Sequence, residues 1–227
     1  MPSIAVIGSN GYVGIAFYQE LLSSSKYSVV GVTRENYSAM KERDFDIIIN
    51  CAMPSARFWA KNHPGEDFVE TVKKTADLLY GWKFKKFVQI SSVSARCQLD
   101  TIYGRHKAAA ESLCNFSNNL IVRLGALYGE NMKKGVLVDI LEGKKVFVDK
   151  MSRYSFISVS FCASWVISNL DRQGVVELGG KNAITLECVA KHIEADVEFE
   201  GEINHQDIEN TDENLPEAAC VIDFINK

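Results

Sequence analysis

Tyr103-Gly104-Arg105-His106-Lys107 places a phenol and an ammonium four residues apart. On a helix those two positions share a face, so both groups can point into one cleft. A nearby ammonium favours the phenolate, which would bring the Tyr103 pKa down toward neutrality. Tyr103 then becomes a candidate proton donor or acceptor, and Lys107 has a second use in holding a nucleotide ribose. The same spacing also arises from plain packing on an amphipathic helix. What sets it apart is Ser91-Ser92, which closes the apolar run starting at Phe87. In an open α/β sheet, ligands bind beyond the carboxyl ends of the strands. A serine hydroxyl there can bond a substrate carbonyl or alcohol oxygen, although it can also simply cap the strand.

A second group of residues lies at the other end of the chain. Gly8-Ser9-Asn10-Gly11-Tyr12-Val13-Gly14 reads GxxGxxG between an apolar strand and a helix. Gly8 allows a tight turn, Gly11 lets the backbone approach a pyrophosphate, and Gly14 lets helix and strand pack closely. The phosphates then sit at the positive helix end, where Asn10, Tyr12 and Val13 complete the cradle. Glycine-rich turns also serve only as turns, but the place of this one after an N-terminal strand points to a dinucleotide. The next strand ends at Thr33-Arg34. An acidic residue there suits adenosine ribose hydroxyls and an arginine suits a 2′-phosphate, so Arg34 favours NADP over NAD. A solvated surface arginine is the plainer alternative.

These groups need elements to position them. Ser3–Gly8, Ser28–Thr33, Asp46–Ala52, Phe87–Ser91 and Leu120–Leu124 read as buried strands. Asn10–Ser23 reads as a helix with Val13, Phe17, Leu21 and Leu22 inward, and residues 66–82 and 104–118 as two more. This alternation predicts a Rossmann-like α/β fold, a doubly wound parallel sheet covered by helices on both faces. Residues 1–130 form the predicted dinucleotide-binding domain, and 131–227 a small mixed α/β substrate lobe. Within that lobe Gly135–Glu142, Val159–Asn169 and Leu186–Glu194 look helical, and Lys145–Val148 and Val175–Leu178 strand-like. The acidic stretch Asp196–Glu217 has no clear pattern.

Composition narrows the function. The chain has 227 residues, 47% hydrophobic and 24% charged, with a net charge of −4. No Lys/Arg-rich run suggests nucleic acid, and no apolar stretch is long enough for a membrane span. The six cysteines form no CxxC or zinc-like spacing, so no metal site is expected and the thiols read as reduced, in the cytoplasm.

Taken together, these residues resemble the extended short-chain dehydrogenase/reductase family of NAD(P)-dependent epimerases, dehydratases and reductases. GSNGYVG matches its glycine motif, and Asp46 to Ala52 its strand ending in N/H-x-A, which places Cys51 and Ala52 at the cofactor. Ile90-Ser91-Ser92 is similar to the strand whose last Ser or Thr is catalytic, so the resemblance selects Ser92 over Ser91 and adds Ile90 to the cofactor contacts. Val122-Arg123-Leu124 through Tyr128-Gly129 resembles a later V-x-R-x-x-x-x-Y-G segment, which adds Leu124. Arg153…Phe156-Ile157-Ser158-Val159 and Glu177-Leu178-Gly179-Gly180 resemble two further segments. The match is good over residues 3–130 and weak beyond.

The resemblance implies hydride exchange between NADP, or NAD, and a sugar, nucleotide-linked in the family's manner, with Tyr103 as acid/base, Ser92 polarising the oxygen and Lys107 tuning Tyr103. Reductase and 4-epimerase use the same parts, and a homodimer is compatible with either. Departures from the pattern are specific. Only twelve positions separate Arg34 from Asp46, which predicts that one edge strand is lost or reduced to a remnant near Tyr37-Ser38. Ser92 and Tyr103 are eleven apart, so a substrate loop is trimmed. Thr71 and Ala126 stand where the family often has Asn. Val93-Ser94 replaces the Asp-Glu of 4,6-dehydratases and argues against that activity. A non-catalytic NAD(P)-binding regulatory module, or an enzyme of small ketones or aldehydes, are the competing readings.

Overall fold

The computed structural model describes residues 1–194, 196–210 and 212–226. β1 (Ser3–Ile7) is buried from Ile4 onward, as a strand covered on both faces must be. α1 (Tyr12–Ser23) returns with Gly14, Phe17 and Leu21 inward. Leu22, expected on the same face, is exposed, because it lies about 100° around the helix from Leu21. β2 (Ser28–Val32), the one-turn helix α2 (Tyr37–Lys41) and β3 (Asp44–Asn50) come next. α3 (Arg57–Asn62) and α4 (Pro64–Phe68) lead through a π turn at Val69–Lys73 into α5 (Lys74–Gly81). β4 (Lys83–Ser92), α6 (Ser94–Cys97), α7 (Ile102–Cys114) and β5 (Leu120–Leu124) follow. The rest of the chain holds β6 (Leu127–Tyr128), α8 (Val136–Leu141), β7 (Arg153–Tyr154) and β8 (Ile157–Ser158). After these come α9 (Val159–Ser168), β9 (Gly174–Leu178), β10 (Ile184–Thr185), α10 (Leu186–His192) and α11 (Cys220–Ile225).

The main sheet runs β2-β1-β3-β4-β5-β9, and β2, β1, β3 and β4 pair in parallel. This is the Rossmann-like α/β fold. Strand order reverses at β1, which has β2 on one side and β3 on the other. The crevice beyond their carboxyl ends is therefore the place where such sheets bind ligands.

Among the described residues no strand lies outside β2, so the edge strand expected to be lost is lost. Its expected remnant, Tyr37-Ser38, is helical instead. The reason is packing. Tyr37 meets Trp82 edge-on at 5.1 Å and accepts the Trp82 indole N–H at 3.1 Å. With Met40 it packs on a core that includes Phe45, Trp82, Phe87 and Ile121. A short helix can deliver two side chains to one face, whereas two extended residues would point them to opposite faces.

The chain divides into two compact units, Met1–Arg123 with Ser160–Val176, and Leu124–Val159 with Glu177–Lys227. It returns to the first unit after residue 159, where the sequence reading drew a single boundary at 130. The second unit has its own core of Tyr128, Ile140, Tyr154, Phe156, Leu186 and Val189. Its strands are two-residue pairs, β6 with β8 and β7 with β10. Lys145–Val148, expected as a strand, makes one isolated bridge from Val146 to Phe199. α3 and α11 were not anticipated. The six cysteines are free thiols.

Candidate active site

The parallel register aligns Ile7 with Asn50 and Asn50 with Gln89. Gly8, Cys51 and the Ile90–Ser92 segment therefore leave the sheet on the same edge. Gly8 adopts φ 77°, and a Cβ there would lie 2.9 Å from the Ala52 Cα. A Cβ at Gly14 would lie 2.0 Å from the Gly8 carbonyl oxygen. The loop can close only with glycine at both positions. Val32 carbonyl oxygen accepts the Gly8 N–H at 2.8 Å, tying the loop to the end of β2. Asn50 sets the neighbouring exit. Its buried amide donates to Gln89 Oε1 at 3.0 Å, and its Oδ1 accepts the Ala52 N–H at 3.1 Å. Cys51 N–H donates to the Ile7 carbonyl at 3.0 Å.

Gly11 is different. Its backbone is extended, it is exposed like Asn10, and a Cβ would meet only the Gly8 carbonyl, at 3.3 Å. The chain's own packing demands glycine less strictly here than at Gly8 or Gly14, and the exposed backbone is open to something outside the chain. α1 begins without a side-chain cap. An uncapped helix start beside a bare backbone is a fit for the pyrophosphate of NAD(P). Tyr12 and Val13 are half-buried at that helix start.

At the end of β2, Asn36 Oδ1 accepts the Thr33 N–H at 2.8 Å, and its amide donates to the Gly31 carbonyl at 2.9 Å. The turn projects Arg34 into solvent, with a side chain 92% exposed and 3.9 Å from Glu70. Glu70 also pairs with Lys74. Ile90 and Leu124 are buried in their strands.

The two serines at the end of β4 have separate fates. Ser91 is buried, and its hydroxyl donates to Glu111 Oε1 at 2.6 Å. Arg123 holds the same carboxylate from β5, at 2.7 Å. Ser92 is half-exposed, its hydroxyl accepts the Ser94 N–H at 3.2 Å, and it lies close enough to the Tyr103 phenol to lower its pKa. Thr101 caps α7, accepting the Gly104 N–H at 2.9 Å. Tyr103 and Lys107 both lie buried on α7, with the Lys107 ammonium 5.1 Å from the ring centroid of Tyr103. The Ser92, Tyr103 and Lys107 side chains are therefore neighbours.

The expected electrostatics need correction. Tyr103 does not titrate near neutrality in this chain; burial pushes it up to about 12. Arg57 and Ser92 lower it, and Asp67 raises it. Desolvation of the phenolate outweighs the lowering by Arg57 and Ser92, and Lys107, on which the expectation rested, is not among the causes.

Sequence reasoning missed Arg57, on the first turn of α3, and Asp67, on α4. Asp67 is fully buried and hydrogen-bonded to His106 at 2.7 Å. His106 stands inside the Tyr103–Lys107 motif, which was the one available signal. Nothing in the sequence marks its partner. Among the described residues no cluster could hold a metal ion, and no helix is long and apolar enough to cross a membrane.

The model of the NAD dependent epimerase/dehydratase family matches residues 4–160, more than half of the chain, and the protein belongs to this enzyme family. No curated protein matches it by sequence. Several solved structures share its fold. UDP-glucuronic acid 4-epimerase from Bacillus cereus, in complex with UDP-glucuronic acid and NAD, has TM-score 0.73 and 20% identity, covering 98% of this chain and 93% of the other. dTDP-4-dehydrorhamnose reductase from Bacillus anthracis, in complex with NADP, has TM-score 0.79 and 17% identity, covering 100% and 98%. UDP-glucose 4-epimerase from Thermotoga maritima, with UDP-glucose, has TM-score 0.76 and 14% identity, covering 99% and 98%.

Proposed function

We propose that this protein is an NAD(P)-dependent reductase or 4-epimerase of a sugar carried on a nucleotide, with Tyr103 as its acid/base. The observation that carries the reading is the Lys107 ammonium 5.1 Å from the Tyr103 ring centroid, with Ser92 close enough to lower the Tyr103 pKa, on the sheet edge that also bears the glycine loop. Gly8, Asn10, Gly11, Tyr12, Val13 and Gly14 hold the pyrophosphate, and Thr33, Arg34, Cys51, Ala52, Ile90 and Leu124 are the further cofactor contacts. The nicotinamide, when bound, supplies or accepts the hydride. Tyr103 gives its proton to the substrate oxygen as a carbonyl becomes an alcohol, and takes it back in the reverse direction. Ser92 hydrogen-bonds that oxygen and keeps it within reach of the phenol. Lys107 places a positive charge beside the Tyr103 ring, where it stabilises the phenolate left after transfer. Similar folds solved with UDP-glucuronic acid or UDP-glucose, and one named as a dTDP-4-dehydrorhamnose reductase, support the substrate class.

The test starts from purified protein. Native mass spectrometry should find NAD(P) or a nucleotide sugar bound, and NADPH oxidation with a 4-keto nucleotide sugar should be faster than with simple ketones. Binding of dinucleotide with no turnover of any keto sugar would favour the regulatory module instead.

A further inference from the structure

Two residues singled out in the sequence, Ser91 and Arg123, have no part in the reaction proposed above, and both end on Glu111. The Ser91 hydroxyl, at the end of β4, donates to Glu111 Oε1 at 2.6 Å. Arg123 reaches the same carboxylate from β5. Its Nε lies 3.2 Å from Oε1 and 3.0 Å from Oε2, and its Nη2 2.7 Å from Oε2. The Glu111 side chain is 6% exposed and that of Arg123 20%. Glu111 continues the stripe of Tyr103 and Lys107 at the same four-residue spacing, about 12 Å along α7 from Tyr103. A buried ion pair adds little stability over apolar side chains of similar volume. What it adds is direction, because each bond fixes particular atoms, whereas apolar burial fixes none. α7 needs that direction. Apart from the Tyr103 ring, its buried uncharged residues are small: Gly104, Ala110 and Cys114. Such a face has few ridges to stop the helix turning or sliding on β4, against which it packs. The start of α7 is held by backbone instead. A Cβ at Gly104 would lie 2.0 Å from the Gln98 carbonyl oxygen and 2.7 Å from that of Ser94. Lys107 lies between these two holds.

We propose that Glu111, gripped by Arg123, is a positioning residue that sets the rotation and axial register of α7 on β4 and β5, and so aims Tyr103 and Lys107 at the reacting oxygen. The proposal rests on the acid/base role assigned to Tyr103 above. Proton transfer needs heavy atoms within about 3.2 Å of each other, and a misplacement of about 1 Å costs on the order of 10²-fold. A slip of α7 by less than one residue, about 1.5 Å, is enough to cause it. The Arg123 fork is the main hold. The Ser91 bond is the lesser one, since it can be lost with the fork intact.

The test separates position from stability. The triple variant Ser91→Ala, Glu111→Leu, Arg123→Met replaces the polar cluster with apolar side chains. It should melt close to wild type. Its kcat should nevertheless fall about 10–10²-fold, with KM and dinucleotide affinity within about twofold of wild type. In protein labelled with 3-fluorotyrosine, loss of a signal in Tyr103→Phe assigns the Tyr103 fluorine resonance. That resonance should broaden or split in the triple variant, with no substrate present. If the triple variant fails to fold, Glu111→Gln carries the same expectations for kcat and for the resonance. It keeps the volume and an acceptor for Ser91, and sets an amide N–H₂ against the Arg123 fork. A folded variant with wild-type kcat overturns the proposal, and so does a lowered kcat with an unchanged Tyr103 resonance. Failure of the Tyr103 assignment reads differently: Tyr103→Phe would then turn over normally.

Discussion

Tyr12 opens α1 and Tyr103 lies in the first turn of α7, and the two helix starts share one chemical feature. Both phenols are pushed up to about 12, with burial as the leading cause. Their surroundings differ. The Tyr12 hydroxyl is buried without a partner among the described residues, and its second influence is the thiol of Cys162. Tyr103 has the Ser92 hydroxyl nearby, an ammonium against its ring, and opposed influences from Arg57 and Asp67. A shifted pKa therefore does not by itself mark a catalytic group. Neighbours that can respond when the proton leaves distinguish the two, and between these helix starts Tyr103 has them. The start of α1 offers an uncapped backbone, and the Tyr12 hydroxyl is buried there.

The sharpest way to break this contrast is to remove each hydroxyl in turn. Tyr103→Phe keeps the ring and removes its exchangeable proton, so turnover should fall about 10²–10⁴-fold while cofactor affinity and melting temperature barely change. Tyr12→Phe removes a hydroxyl with nothing to lose, so turnover should hold and stability should stay level or rise. Steady-state kinetics and thermal melts on both variants decide it. Equal losses of turnover would erase the distinction.

The backbone half of the contrast is tested in the glycine loop. Gly11→Val should fold, since its only close neighbour is the Gly8 carbonyl at 3.3 Å, yet calorimetry should detect no dinucleotide binding. Gly14→Val should yield little folded protein, because even its Cβ would lie 2.0 Å from that carbonyl. Undiminished affinity in folded Gly11→Val would remove the cofactor assignment from this loop.

The same division explains what could be read from residue order. The glycine loop was legible because steric demands on a backbone are met by residue type, and the missing edge strand because too few residues separate Arg34 from Asp46 to form it. Tyr103 and Lys107 were legible as neighbours through helical spacing. Their electrostatics were not, because a sequence displays Lys107 but not the depth at which the phenol is buried. Asp67 and His106 are 39 positions apart and meet only because α4 packs on α7. The second unit was least legible. Its two-residue strands and single bridges, such as Tyr154 to Gln206 and Lys181 to Glu217, leave no periodic signal.

Ser91 and Ser92 give a smaller test on adjacent residues. Ser92→Ala should lower turnover on the order of 10²-fold, as for one lost donor at a developing oxyanion. Ser91→Ala should leave turnover nearly intact and reduce stability by about 1–3 kcal/mol, since it strips a buried bond from the Glu111 carboxylate. Urea melts and kinetics on the pair separate the two roles. The reverse pattern would move the catalytic assignment to Ser91.

Arg34 should give the smallest effect, and for the same reason that α1 and α7 differ. If the cofactor is held chiefly by backbone at the start of α1, a side chain at the rim adds little. Arg34 is 92% exposed, and Glu70 at 3.9 Å already offsets its charge. An ionic contact at such exposure changes affinity by up to about fivefold. Wild type should therefore prefer NADPH to NADH by no more than that, and the preference should shrink as salt is raised. Arg34→Asp should erase or invert it, and Glu70→Gln should widen it by removing the competing anion. Fluorescence titrations of NADPH and NADH with the three proteins measure all of this. A preference of a hundredfold in wild type would mean that side chains, not the glycine loop, dominate cofactor recognition, and the division of labour between the two helix starts would fail.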